Sequence, residues 1–202
     1  LILYLMKDIT YVYLLIIVIY ITYITMYPNE CPPEIKRDKI EINKYPTVCH
    51  LLKNIAFKNP CYNALKYKKF NTKIYIDYFT YYKNCEQFAK SLIKIGATED
   101  SSIGIIGYNS PEWFYSHIGS MMIGAKSVGL YPTNTSDVCC YICENCNIDI
   151  IIAEDKNQAY KFKNYYKNNS VKAIVIYDDL IFKDNHIDIY HWDDFIKKGE
   201  YI

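Results

Sequence analysis

Between Ile103 and Asp155, apolar runs of strand length alternate with segments that carry helix-start signals, and this order limits what the chain can fold into. Ser102 to Gly107 is a run of buried-strand type, closed by a turn at Tyr108, Asn109 and Ser110. A helix is expected next. Ser110 suits an N-cap, Pro111 has no N–H to lose at the first helical position, and Glu112 places negative charge at the positive end of the helix dipole. Along this helix Trp113, His117, Ser120, Met121 and Gly124 recur at three- and four-residue spacing, and Gly119 and Gly124 are small enough to admit a second backbone. Lys126 to Leu130 predicts a strand, and Tyr131-Pro132-Thr133-Asn134 a turn. Ser136 or Asp137 then caps a helix to about Cys146, before an apolar strand at Asp149 to Ala153. Strands separated by helices of this length make βαβ units, so the expected fold is α/β, a largely parallel sheet flanked by helices.

Upstream, Pro46 to Phe57 reads as a helix, Cys61 to Tyr67 and Lys73 to Tyr78 as a strand pair around Lys68 to Thr72, and Thr80 to Ile95 as a helix that Gly96 ends. Ile9 to Tyr27 has no charged residue over about 19 positions, enough to cross a hydrocarbon core of about 30 Å as a transmembrane or signal-anchor helix. Tyrosines near its ends suit the interfacial belt. A cleaved signal peptide and translated sequence upstream of the true start stay open as alternatives. Pro28 to Asn43, rich in proline and charge, reads as a linker. The domain expectation is therefore a flank at 1–8, a membrane segment at 9–27, a linker at 28–43 and a folded body at 44–202.

Composition supports a folded body, with 51% hydrophobic and 22% charged residues. A net charge of +1, from 23 basic and 22 acidic residues, gives no overall field that recruits nucleic acid, so no nucleic-acid partner is expected. The 23 tyrosines, alongside much Ile, Lys and Asn, match the coding bias of an A+T-rich genome, and most are expected to pack.

Three constellations invite a chemical reading. Cys140, Cys143 and Cys146 form C-x-x-C-x-x-C with Cys139 adjacent, the raw material of a zinc or iron–sulfur site. They share one expected helix and lack a following Cys-Pro or His partner, so they read as packed, reduced thiols. Ser116, His117 and Ser120 hold a nucleophile and a base, but helical neighbours point apart and no G-x-S-x-G segment is present. Gly104 and Gly107 lack the third glycine of a dinucleotide fingerprint. The sequons at Asn134 and Asn168 matter only if the body is lumenal.

The NSPEW pentapeptide at Asn109 to Trp113 after GIIGY, the VGLYPTNTSDVCCYI segment at Val128 to Ile142 and YHWDDFIKKG at Tyr190 to Gly199 occur in order. Together they resemble the long-chain acyl-CoA synthetases, in particular the bubblegum-type branch of the adenylate-forming AMP-dependent synthetase/ligase superfamily. An amphipathic FTYYKNCEQFAKSLIKIGA segment at Phe79 to Ala97 stands where such enzymes carry one, and the resemblance runs from about Tyr45 to the end. It implies the amino-terminal part of the family's large domain. It implies, for a full-length enzyme, activation of a long-chain fatty acid by ATP and Mg²⁺ to an acyl-adenylate, then transfer to coenzyme A. The family's phosphate loop, YTSGTTGxPKG, has no counterpart in the 202 residues, whose seven glycines do not cluster. No catalytic, cofactor-binding or metal-ligating residue can therefore be carried over. The chain is expected to be an amino-terminal fragment, inactive alone, with a non-catalytic membrane-tethered remnant or interaction module as the alternative. Its expected location is a membrane, the endoplasmic reticulum among the candidates, with the body on the cytosolic side.

Overall fold

Thr47 opens the folded body: its hydroxyl accepts the His50 N–H at 3.2 Å and caps α1 (Val48–Lys58), so the helix starts just after Pro46 rather than at it. The computed structural model describes residues 47–168, 171–178 and 182–200. The expected membrane segment at 9–27 and the linker at 28–43 lie outside the described residues. Among the described residues no helix is long and apolar enough to cross a membrane.

After α1, β1 (Asn63–Lys69) and β2 (Thr72–Asp77) form an antiparallel hairpin. Its expected loop at Lys68 to Thr72 shrinks to Phe70 (φ 44°) and Asn71 (φ 69°), both left-handed as a tight I′-like turn requires. Asparagine advertises such a turn and phenylalanine does not, which is why the pattern alone sets the strand ends too far apart. Asp77 then caps α2 (Tyr78–Lys94), accepting the Thr80 N–H at 2.6 Å. Gly96 (φ 84°) ends α2 as expected: its N–H donates to Ile93 O and that of Ala97 to Leu92 O, a Schellman closure.

Five parallel strands follow: β3 (Ser102–Ile106), β4 (Lys126–Leu130), β5 (Ile150–Ala153), β6 (Ala173–Ile176) and β7 (Asp188–His191), in the order β4-β3-β5-β6-β7. The helices between them are α3 (Pro111–Met122), α4 (Ser136–Cys146), α5 (Lys156–Tyr160) and α6 (Lys163–Asn168), and α7 (Trp192–Lys197) follows β7. The expected α/β class, a parallel sheet between helices, is what the structure has.

The two-residue alternation of each strand divides the core. Ile103, Ile105, Ile150, Ile152 and Val175 face Phe88 and Leu92 of α2 and Phe195 of α7. Ile106, Ile151, Ile174 and Ile176 face Cys139 and Cys143 of α4, Phe162 and Tyr165. At the amino ends of the strands, Asp149 binds them together: its carboxylate accepts Ser101 Oγ–H and the Ser102 N–H, each at 3.0 Å, and pairs with Lys172 Nζ at 3.1 Å.

Two helix signals are corrected by the structure. Gly124 is not a packing glycine within α3 but its C-terminal closure (φ 80°), with Gly124 N–H donating to Met121 O and Ala125 N–H to Ser120 O. The cap of α4 is Thr135, which makes no side-chain cap hydrogen bond, whereas Ser136 and Asp137 lie in the first turn, where the helix dipole favours the aspartate.

Candidate functional site

In this strand order the chain leaves β3 for one side of the sheet and returns to the other at β5, so loops diverge above the carboxyl ends of β3 and β5. Open parallel sheets bind ligands at such a switch point. A cleft of about 680 Å³ opens there, walled by Tyr108 and Asn109 after β3, Trp113 on α3, Leu130 at the end of β4, and Tyr131 and Pro132 after it. Its volume falls within the usual range for small-molecule sites.

The sequence places these walls by simple means. Ser110 Oγ accepts the Trp113 N–H at 3.1 Å and starts α3 directly after the turn, which holds the indole over the carboxyl end of β4. A Cβ on Gly129 would be 3.5 Å from that ring, so the glycine leaves the cleft floor open. Trp113 stacks on His117 with centroids 5.3 Å apart, and His117 Nδ1 lies 2.8 Å from Ser127 Oγ. Burial lowers the His117 pKa from its ordinary value.

An acidic residue lies behind the Gly107–Tyr108 side of the cleft. Glu154, just after β5, accepts the Tyr108 N–H at 2.9 Å, and Glu112 lies in the first turn of α3. Burial raises the Glu112 pKa, an effect that Lys69 partly offsets. The Tyr177 ring fills the space beside Gly107, where a Cβ would collide with its hydroxyl and sit 2.8 Å from Glu154 Cβ. Burial raises the Tyr177 pKa, and Glu154 and Glu112 add to the rise. Glu154 and Tyr177 went unread in the sequence. The one available signal was an acidic residue at the end of a buried apolar strand.

These groups decide what the cleft accepts. A helix start usually offers free N–H groups to a phosphate. Here Pro111 has none, Ser110 takes that of Trp113, and Glu154 takes that of Tyr108. With Glu154 behind Tyr108 as well, this side of the cleft does not favour a triphosphate. Trp113, Leu130, Tyr131 and Pro132 instead fit an apolar or aromatic group.

The three constellations resolve into packing. Ser116 and Ser120 donate to the Glu112 and Ser116 carbonyls, each at 2.7 Å, so neither hydroxyl faces His117 as a nucleophile would. Cys139 and Cys143 are fully buried under the sheet, while Cys140 points to the Lys161 carbonyl. Burial pushes the Cys143 thiol pKa far up, which opposes the thiolate form that metals require. Among the described residues no group of three or more His, Cys, Asp or Glu side chains is placed to hold a metal. Gly104 lies under Ile148, where a Cβ would be 2.9 Å from Ile148 Cδ1, a packing role rather than a nucleotide one.

A second cleft, of about 560 Å³, lies near the amino ends of β6 and β7 between Lys94, Lys172, Asp188, Lys197 and Lys198. Most of its cations are engaged: Lys172 with Asp149, Lys197 with Asp194, and Lys198 over the Tyr190 ring at 4.5 Å. It sits at the edge of the sheet opposite the switch point, so the Trp113 cleft is the better candidate.

A parallel sheet flanked by helices, with a cleft at its switch point, makes this an α/β domain of open-sheet type. The model of the AMP-binding enzyme family matches residues 52–194, and the chain belongs to this family. Its relatives include the long-chain-fatty-acid–CoA ligase ACSBG2 of Xenopus laevis, 32% identical over 155 residues that are 76% of this chain and 21% of the relative. The ACSBG2 of Homo sapiens is 34% identical over 143 residues, 70% of this chain and 21% of that protein. The resemblance to bubblegum-type ligases read from NSPEW and its companion motifs is thus borne out. The chain spans about a fifth of the length of these curated relatives.

Solved structures share the fold. The A-PCP didomain of the carboxylic acid reductase from Segniliparus rugosus, in complex with AMP, superposes with a TM-score of 0.61 at 13% identity, over 75% of this chain and 26% of that one. The anthranilate CoA ligase AuaEII, in complex with anthranoyl-AMP, gives 0.56 at 18% identity, over 63% of this chain and 24% of that one.

Proposed function

We propose that these residues form the amino-terminal part of the acid-activating domain of a long-chain fatty acid–CoA ligase, and that the Trp113 cleft receives the apolar part of the acid. The observation that carries this reading is the cleft's chemistry: aromatic and aliphatic walls, at a sheet switch point, in a chain whose relatives are named as fatty-acid ligases. ATP and Mg²⁺ would be held by residues outside these 202, since the Tyr108 and Trp113 N–H groups are already taken by Glu154 and Ser110 where phosphates need donors. Coenzyme A would likewise be bound elsewhere. The chain alone is inactive on this reading, and Ile9 to Tyr27 attaches the protein to a membrane from which a fatty acid is drawn, with the body on the cytosolic side.

The test uses the 202-residue chain and the fluorescent fatty acid cis-parinaric acid. Saturable binding that Gly129→Phe abolishes is expected, together with no fatty-acid-dependent exchange of pyrophosphate into ATP. Binding indifferent to Gly129→Phe overturns the assignment of the cleft. Robust exchange overturns the division of labour.

A further inference from the structure

We infer that the β1–β2 hairpin is a membrane-docking finger, which sets its lysines against anionic lipid headgroups and inserts Phe70 at the lipid interface. Phe70 stands at the tip, 93% exposed, in left-handed backbone. An aromatic residue there is a steric outlier, and this one recovers nothing through packing. Directly behind it, Lys68 is paired in register with Lys73, and Lys69 with Thr72; all three lysines are exposed. Like charges opposite one another weaken a strand pair. Two locally unfavourable choices meet at one solvent-facing tip, and conflicts of this kind mark positions under a second, functional constraint.

Charge distribution identifies the partner. From Lys44 to Ile76 the chain has seven lysines and no Asp or Glu, although its net charge is only +1. Basic charge is thus concentrated in the stretch that carries the hairpin, which matches a negatively charged surface. A bilayer fits the tip better than a nucleic acid does. Single-stranded nucleic acids stack successive bases on several rings, whereas the tip offers one ring, Phe70, and the other exposed ring within the two strands, Tyr75, lies under Lys66 Nζ at 5.2 Å. One apolar wedge among lysines is the pattern of interfacial anchoring. This extends the membrane attachment proposed above but stands on the hairpin's own residues.

The experiment places Phe70→Trp in the 202-residue chain and follows its emission, after subtraction of the wild-type signal, on adding phosphatidylcholine vesicles with one part in three phosphatidylserine. A blue shift is expected, with quenching by lipids brominated on their acyl chains. Because Ile9 to Tyr27 would hold this chain on the vesicle in any case, the tip is read by its emission: changing Lys68, Lys69 and Lys73 to Gln in the Phe70→Trp chain should abolish the blue shift and the quenching at low ionic strength. That variant should keep the near-ultraviolet dichroism spectrum of its parent. Vesicle co-sedimentation with no change in the emission of the introduced tryptophan overturns the hairpin inference and leaves attachment through other residues standing. Neither co-sedimentation nor a shift overturns both. A shift with a single-stranded oligonucleotide and none with vesicles assigns the tip to nucleic acid and overturns the lipid assignment.

Discussion

A Cβ placed on Gly119 would stand 2.7 Å from the carbonyl oxygen of Cys85, closer than real side chains approach backbone. The α2 and α3 helices meet at this glycine, and Phe88 and Ala89 crowd the same point. Gly119→Ala gains up to about 1 kcal/mol of helix propensity, but overpacking costs about 1–3 kcal/mol, so net destabilisation is expected. A lower urea midpoint with an unchanged slope would bear this out; a raised midpoint would show that the helices can move apart freely.

Phe70 predicts the opposite sign. At φ 44° and 93% exposed, its ring adds no packing to offset the backbone cost. Asparagine tolerates this region, so Phe70→Asn should raise stability by about 0.5–1 kcal/mol. Thermal unfolding of the two proteins decides it, and a loss of stability would mean the ring contacts something in the folded chain.

Both residues show what the sequence made legible. Gly119 could be read as a close-approach position because the apolar spacing around it was clear and its helix had a strong cap at Ser110-Pro111. Phe70 could not be read as a turn residue, because nothing in its chemistry favours φ > 0. The same limit applied beyond Asp155: β6 and β7 are four residues each, too short for periodicity to separate strand from helix. Of the candidate site, the Tyr108-Asn109 turn and Trp113 followed from local signals. Glu154 and Tyr177 did not, since they come to stand behind Gly107 and Tyr108 only through the order of strands in the sheet, which is a tertiary fact.

Thiol reactivity should sort the cysteines by burial. Cys85, Cys139 and Cys143 are fully buried and Cys61 is exposed. Burial raises the pKa values of Cys85 and Cys143 well above the ordinary thiol value, which leaves little thiolate to react. Brief treatment of the native protein with iodoacetamide should therefore modify Cys61 ahead of these three, which become reactive only in denaturant. Early labelling of Cys143, read by peptide mass spectrometry, would contradict its packing under the sheet.

His117 sets a pH dependence whose sign follows from its surroundings. Stacked on Trp113 and placed 2.8 Å from Ser127 Oγ, it is half removed from water, and burial lowers its pKa below the ordinary value near 6.5. The folded state thus binds this proton less readily than the unfolded chain. Its contribution to stability is intact above about pH 6.5 and is lost as the pH falls from there through the folded-state value. His117→Gln keeps a polar partner for Ser127 and removes the titration. The stability difference between wild type and His117→Gln should shift against wild type between about pH 7.5 and about pH 5.5, as read from urea midpoints at the two values. A difference independent of pH would show that the imidazole protonates without leaving its place beside Trp113.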